Sequence, residues 1–140
     1  QRAEMQISEA KRRVERNPTD LQLRYELGEV LMQAGHYKEA LPELQKARQN
    51  PNARIKALNL LGQCMIQLGM LDLAENQFKT AVSEISSMDD TKKDLLYNLG
   101  LVYEKMGRKD DYIDCMKRIF EADFGYRDVA DRVEKWYGAA

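Results

Sequence analysis

Leu61-Gly62-Gln63-Cys64-Met65-Ile66-Gln67-Leu68-Gly69 decides the fold, because its outline occurs three times in the chain. Leu27-Gly28 is answered by Gly35, and Leu99-Gly100 by Gly107, at the same seven-residue interval as Gly62 and Gly69. The first two Leu-Gly pairs lie 34 residues apart and the last two 38. Working outward, the position 12 after the first glycine holds Ala40, Ala74 and Tyr112. The position 16 after it holds Leu44, Phe78 and Met116, and the position 19 after it holds Ala47, Ala81 and Ile119. A period in this range marks a stacked array, in which each unit buries its apolar face against the next.

Each unit reads as two amphipathic helices. Leu21, Tyr25 (or Arg24), Leu27 and Leu31 recur at helical spacing, and so do Ala40, Leu44 and Ala47. Gly35 is suited to ending the first helix as a C-cap. Asn17-Pro18-Thr19 precedes it, with Thr19 and Gln22 spaced as a capping box. Asn50-Pro51 repeats the device, since proline is tolerated in a first helical turn. Gly28 and Ala40 are expected to face each other where two antiparallel helices approach closely. The four extra residues before the third unit approximate one helical turn. Phe78, Ala81, Val82, Ile85 and Met88 would then share one face of a longer outer helix, with Ser86-Ser87-Met88-Asp89-Asp90 ending it and capping the next.

The flanks complete the array. Residues 3–16 place Ile7, Ala10 and Val14 on one stripe, as the second helix of a preceding, truncated repeat would. Residues Tyr126 to Tyr137 set Val129, Val133, Trp136 and Tyr137 on one face, as expected of a helix that caps the last unit. The organisation expected is an N-terminal helix over 1–18, three repeats over 19–123 (19–52, 53–88 and 89–123) and a capping helix over 124–140. The fold class is all-α, a right-handed α-solenoid of antiparallel helix pairs.

This pattern resembles the tetratricopeptide repeat, a helix–turn–helix unit of about 34 residues. Its signature of a bulky residue, Leu-Gly, an aromatic, Ala, an aromatic or Leu, and Ala is met by Leu58, Leu61-Gly62, Met65, Ala74, Phe78 and Ala81. The third unit offers Leu96, Leu99-Gly100, Tyr103, Tyr112, Met116 and Ile119. Tyr112 replaces the expected alanine, and Lys109 stands where Tyr37 and Leu71 stand in the other units. Tyr112 is therefore expected to supply bulk that Lys109 lacks, with some splaying of that helix pair.

Composition narrows the function. Of 140 residues, 44% are hydrophobic and 32% charged, and 22 Lys and Arg against 23 Asp and Glu leave a net charge of −1. A nucleic-acid binder or a polybasic membrane-surface protein normally carries a basic excess, so neither partner is expected. No apolar run approaches the 18 or so residues of a membrane span, so no membrane insertion is expected. The chain begins at Gln1 rather than Met, which reads as a mature or excised piece of something longer. A cytoplasmic location is favoured, with an upstream signal or anchor left open.

Chemistry is sparse. Cys64 and Cys115 belong to no CxxC pair and fit apolar helix faces as small core residues. The single histidine, His36, falls in a turn, so no zinc or haem set can be assembled. No GxSxG, Walker or GxGxxG motif is present. Asp89-Asp90 and Asp110-Asp111 each open a helix, where carboxylates complement the dipole. Lys11-Arg12-Arg13 reads as a solvated helix face. No enzyme activity, cofactor or metal is expected.

What remains is a surface. In tetratricopeptide proteins the first helix of each repeat lines a concave groove for extended peptides or helices. The resemblance assigns that groove to Gln22, Tyr25, Glu29 and Gln33, then Lys56, Asn59, Gln63 and Gln67, then Asp94, Tyr97, Leu101 and Lys105. Amides satisfy both N–H and C=O groups of a peptide, and tyrosine adds rigid area with a polar tip. Family members that grip acidic chaperone tails use a clamp of Lys, Asn and Arg. Here the matching positions hold Tyr25, Glu29, Asp94 and Asn98, whose acids would repel a terminal carboxylate. The expected function is a non-catalytic protein-interaction module or scaffold whose partner is another protein or peptide. The alternative is homotypic assembly through the terminal helices, so self-association is open. A helical-repeat RNA reader is a third reading, disfavoured by neutral charge and by the Leu-Gly signature.

Overall fold

The computed structural model describes residues 2–138. Among them are eight helices and no strand: α1 (Arg2–Arg16), α2 (Leu21–Gln33), α3 (Tyr37–Ala47), α4 (Arg54–Gln67), α5 (Leu71–Ser83), α6 (Asp90–Lys105), α7 (Lys109–Ala122) and α8 (Val129–Gly138). Contacts divide the chain into two compact units, Gln1–Gln77 and Phe78–Ala140. In the first, α2 packs against α1, α3 and α4, and α3 packs against α4. In the second, α7 packs against α6 and α8.

The three glycines at the seven-residue interval close α2, α4 and α6 in one way. Gly35, Gly69 and Gly107 have φ of 79°, 77° and 75°, a left-handed conformation that costs a side-chain-bearing residue more. That turn lets the next residue's N–H reach back to the helix: His36 to Leu31 O at 2.9 Å, Met70 to Met65 O at 2.8 Å and Arg108 to Tyr103 O at 2.9 Å. Carbonyls left open by the helix end are thereby satisfied, and the chain turns directly into the second helix of the pair.

The Leu-Gly glycines act by their smallness. A Cβ placed on Gly28 would lie 2.6 Å from Leu44 Cδ2 and 2.8 Å from its Cγ. On Gly100 it would lie 2.6 Å from Met116 Cε. The residue that fills the space is thus the one 16 positions on, not Ala40 at 12 as the sequence reading had it. Ala40 is itself fully buried, so both positions are constrained by packing.

Several boundaries differ from expectation. The cap of α2 is Asp20, whose carboxylate accepts from Gln22 N at 2.9 Å and Leu23 N at 3.2 Å. Asp20 adds a negative charge at the positive helix end, which the Thr19 hydroxyl cannot do. Pro51 lies in the turn before α4 rather than in its first turn. The extra four residues do not make one longer helix. α5 ends at Ser83 because Glu84 N and Ile85 N turn back to Ala81 O and Val82 O, three residues earlier. α5 gains two residues over α3, and α6 begins two residues further ahead of Gly100 than α4 does ahead of Gly62. Asp89 caps α6, accepting from Lys92 N at 2.8 Å.

The C-terminal helix starts at Val129, not Tyr126. It buries Val129 and Val133, while Tyr137 is 62% exposed, with Lys117 Nζ 4.8 Å from its ring centroid. Tyr112 is half-buried and does not stand in for core bulk. Its hydroxyl accepts from Arg132 Nη1 at 3.0 Å, tying α7 to α8. Cys64 and Cys115 are free and buried, and burial pushes both thiols up, Cys115 to about 12.

Candidate functional site

In the first unit, α2 buries Leu23, Tyr25, Leu27, Gly28 and Leu31. A narrow polar row is left at Gln22, Glu26, Glu29 and Gln33, whose spacing of three and four keeps them on one face. Gln22 Nε2 donates to Glu26 Oε2 at 3.4 Å, and Arg13 of α1 donates to Glu26 Oε1 at 3.0 Å. α4 repeats the plan. Ala57, Leu58, Leu61, Gly62, Cys64 and Met65 are buried, and the row is Lys56, Asn59, Gln63 and Gln67. Gln63 Nε2 donates to Asn59 Oδ1 at 3.1 Å. Gln22, Gln33, Lys56 and Gln67 are exposed, and Glu29, Asn59 and Gln63 are half-buried.

Tyr25 is placed differently from an open anchor. Its ring is only 8% exposed, and its hydroxyl donates to Glu29 Oε2 at 3.5 Å. Burial, and then the negative Glu29, push its phenol up to about 12.

In the second unit, the row on α6 is Asp94, Tyr97, Leu101 and Lys105. Leu101 is half-buried and Lys105 exposed. Asp94 and Tyr97 are engaged by the segment before α8, expected from the sequence to be the start of the capping helix. The Tyr97 hydroxyl donates to Asp128 Oδ1 at 2.6 Å, and the Tyr126 hydroxyl donates to Asp94 Oδ1. Arg127 Nη2 lies 3.2 Å from Asp94 Oδ1. Its guanidinium carbon sits 4.8 Å from the Tyr97 ring centroid and 5.3 Å from that of Tyr126. The two rings meet edge to face, 6.2 Å apart at 62°. Arg132 completes the cluster through Asp128 Oδ2 at 3.0 Å and Glu104 Oε1 at 3.4 Å. The bond from Tyr97 holds the Asp128 carboxyl below its ordinary value, while burial and then Asp128 raise Tyr97. No local sequence signal links these residues, because the partners lie about 30 positions apart along the chain.

Two clefts are also present, the first sharing Glu26 with the α2 row. One of about 940 Å³ runs beside α1 and α2, lined by Met5, Glu9, Arg12, Arg13, Glu26 and Val30. The other, about 620 Å³, is lined by Glu104, Tyr112, Asp128, Arg132, Lys135 and Trp136. Among the described residues no group of three or more His, Cys, Asp or Glu is placed to hold a metal ion. No described helix is long and apolar enough to cross a membrane.

Comparison with known proteins agrees with this geometry. Family profiles described as tetratricopeptide repeat match residues 1–57, 31–85 and 94–126. No curated protein sequence matches the chain. Among solved structures, a crystal structure of MamA superposes with a TM-score of 0.81 over 95% of this chain and 75% of that one, at 21% identity. A second MamA structure gives 0.78 over 91% and 67%, also at 21% identity. YrrB, whose structure is titled a TPR protein with an unusual peptide-binding site, gives 0.70 over 82% of this chain and 57% of its own, at 27% identity. With three Gly-closed helix pairs among the eight described helices and three profile matches along its length, the chain is an all-α helical solenoid and belongs to the tetratricopeptide repeat family.

Proposed function

We propose that this chain is a non-catalytic scaffold that holds a peptide or helix segment of a partner protein along the first helices of its repeats. The observation that carries the reading is the pair of polar rows on α2 and α4. Each lies on a helix that buries five or six residues, and each mixes exposed ends with half-buried amides or carboxylates. Such a row contributes little to folding, yet it presents donors and acceptors at the spacing of a helix. Tetratricopeptide proteins are typically scaffolds, and YrrB is titled as a peptide binder. Glu29 on one row and Lys56 on the next favour a segment of mixed charge.

The test uses exposed positions, because truncating the buried Tyr25 would disturb the core. A partner isolated on the chain is titrated calorimetrically against Gln33→Ala with Gln67→Ala, and against Lys46→Ala on α3. Anchors in an interface each cost about 1 kcal/mol or more, so the row pair should weaken binding at least tenfold while Lys46→Ala changes little. Equal affinities would remove the rows from the interface.

A second reading, homotypic assembly through the terminal helices, draws on Met5, 72% exposed beside the α1 cleft. Sedimentation velocity across a concentration series decides it, with Met5→Lys abolishing any association that α1 mediates.

A further inference from the structure

We propose that Asp94, Tyr97 and Tyr126 form a receptor for a guanidinium group, and that an arginine of the bound partner segment displaces Arg127 from it. This deepens the scaffold reading and rests on it, since Asp94 and Tyr97 belong to the α6 row.

The geometry suits a flat cation. Two tyrosine rings at 62° make an angled notch, and the Asp94 carboxylate stands at its end. Aromatic faces attract a guanidinium within about 6 Å of their centroids, and Arg127 meets both rings inside that limit. A planar guanidinium can stack on a ring and bond a carboxylate together, which the compact ammonium of lysine does less well. The notch is held open without its occupant. The Tyr126 hydroxyl is fixed on Asp94 and the Tyr97 hydroxyl on Asp128, while Arg132, bonded to Asp128, Glu104 and Tyr112, also stands 5.5 Å from the Tyr97 ring centroid and shares that ring with the occupant of the notch. The neighbouring cation, Lys93, is turned to Asp123 at 3.1 Å and Asp90 at 3.5 Å.

Arg127 is a poorly held occupant. Its side chain is 48% exposed and that of Asp94 42%, so solvent reaches both partners of the ion pair. Its backbone has φ of 42°, the one non-glycine among the described residues at positive φ. That conformation is unfavourable for a residue with a Cβ, and a glycine at this position would adopt it without that cost. A partner arginine would make the same ring and carboxylate contacts.

The test uses the whole chain with Arg127→Gly, which empties the notch and suits the positive φ. Acetyl-arginine amide is titrated while the ring resonances of Tyr97 and Tyr126 are followed by NMR, with acetyl-citrulline amide as the uncharged control. The expected result is saturable shifts at a concentration at least tenfold lower than in the unsubstituted chain, no response to citrulline, and loss on adding Asp94→Asn. Protected amides at Val133 check that α8 stays docked. If they are lost, Arg127→Gln removes the charge, keeps most of the side chain and is read in the same way. Equal responses in both chains, equal responses to both probes, or no saturation with α8 docked would overturn the proposal. The scaffold reading fails separately: it falls if Gln33 and Gln67 variants leave partner affinity unchanged, whatever the arginine probe does.

Discussion

Gly28→Ala should destabilise the first unit, although alanine is the better helix former. The substitution adds one methyl at a place where Leu44 Cδ2 and Cγ lie 2.6 and 2.8 Å away. An ordinary contact is nearer 3.5–4.0 Å, so Leu44 must move by most of an ångström. Leu44 is fully buried, and its branch carbon as well as its tip is in the way, so rotation of a chain end cannot relieve the clash. Overpacking of this kind costs about 1–3 kcal/mol. Replacing glycine within a helix returns roughly 1 kcal/mol. The net expectation is a loss of up to about 2 kcal/mol. The decisive measurement is the same change made in a Leu44→Ala background, by urea denaturation followed by circular dichroism. Leu44→Ala alone should cost about 2–5 kcal/mol. Within it the new methyl fills space instead of contesting it, so the helix preference and a buried carbon together should stabilise by about 1–2 kcal/mol. The sign reverses between the two backgrounds, and the coupling, the loss in one added to the gain in the other, is about 1–4 kcal/mol, in or just above the range for residues in contact. Gly28→Ala with one sign in both backgrounds would show that Leu44 is not what keeps this position a glycine.

Asp20→Ala should cost about 1 kcal/mol through loss of the α2 cap, whereas Thr19→Ala should stay within about 0.5 kcal/mol; thermal denaturation of the two variants compares them directly. Tyr25 should titrate near 12, against about 10 in the unfolded chain. Its folded-state value is the higher one, so its contribution to stability is complete below about pH 10 and declines as pH rises toward 12. Ultraviolet titration of the phenols against Tyr25→Phe measures this, and a Tyr25 that ionises near 10 would mean the ring is not buried. In amide exchange, α1 should open before α4, because α1 buries only Ile7 and Val14 while α4 buries six side chains or glycines. Exchange at least tenfold faster in α1 is expected, and slower exchange there would place a partner surface over it.

What the sequence made legible was whatever recurs. Gly35, Gly69 and Gly107 share a backbone requirement, and Leu44 and Met116 share a steric one, so their spacing alone carries the helix pairs and the family resemblance. Features that occur once were harder to read. Thr19 and Asp20 both suit a helix cap, and only the backbone direction at Asp20 decides between them. Four inserted residues look like one helical turn, but local hydrogen bonds at Ala81 and Val82 stop α5 early and pass half of the insertion to α6.

The third repeat shows why the inner row was read only in part. Its members were found by register, and register fixes which face of α6 a residue occupies but not what stands opposite. Opposite Asp94 and Tyr97 stand Tyr126, Arg127 and Asp128, which are too far along the chain for periodicity to report. Tyr112, which departs from the family pattern, belongs to the same arrangement through Arg132. An alanine there could not reach the guanidinium, so one irregular residue in the repeat signature and one irregular backbone angle at Arg127 have a common physical context. Both lie where the last repeat meets the helix that covers it, and a regular unit would need neither. Deviation from the repeat was therefore the informative part of the third unit, and the aromatic and acidic side chains it gathers are what distinguish its row from the amide rows of α2 and α4.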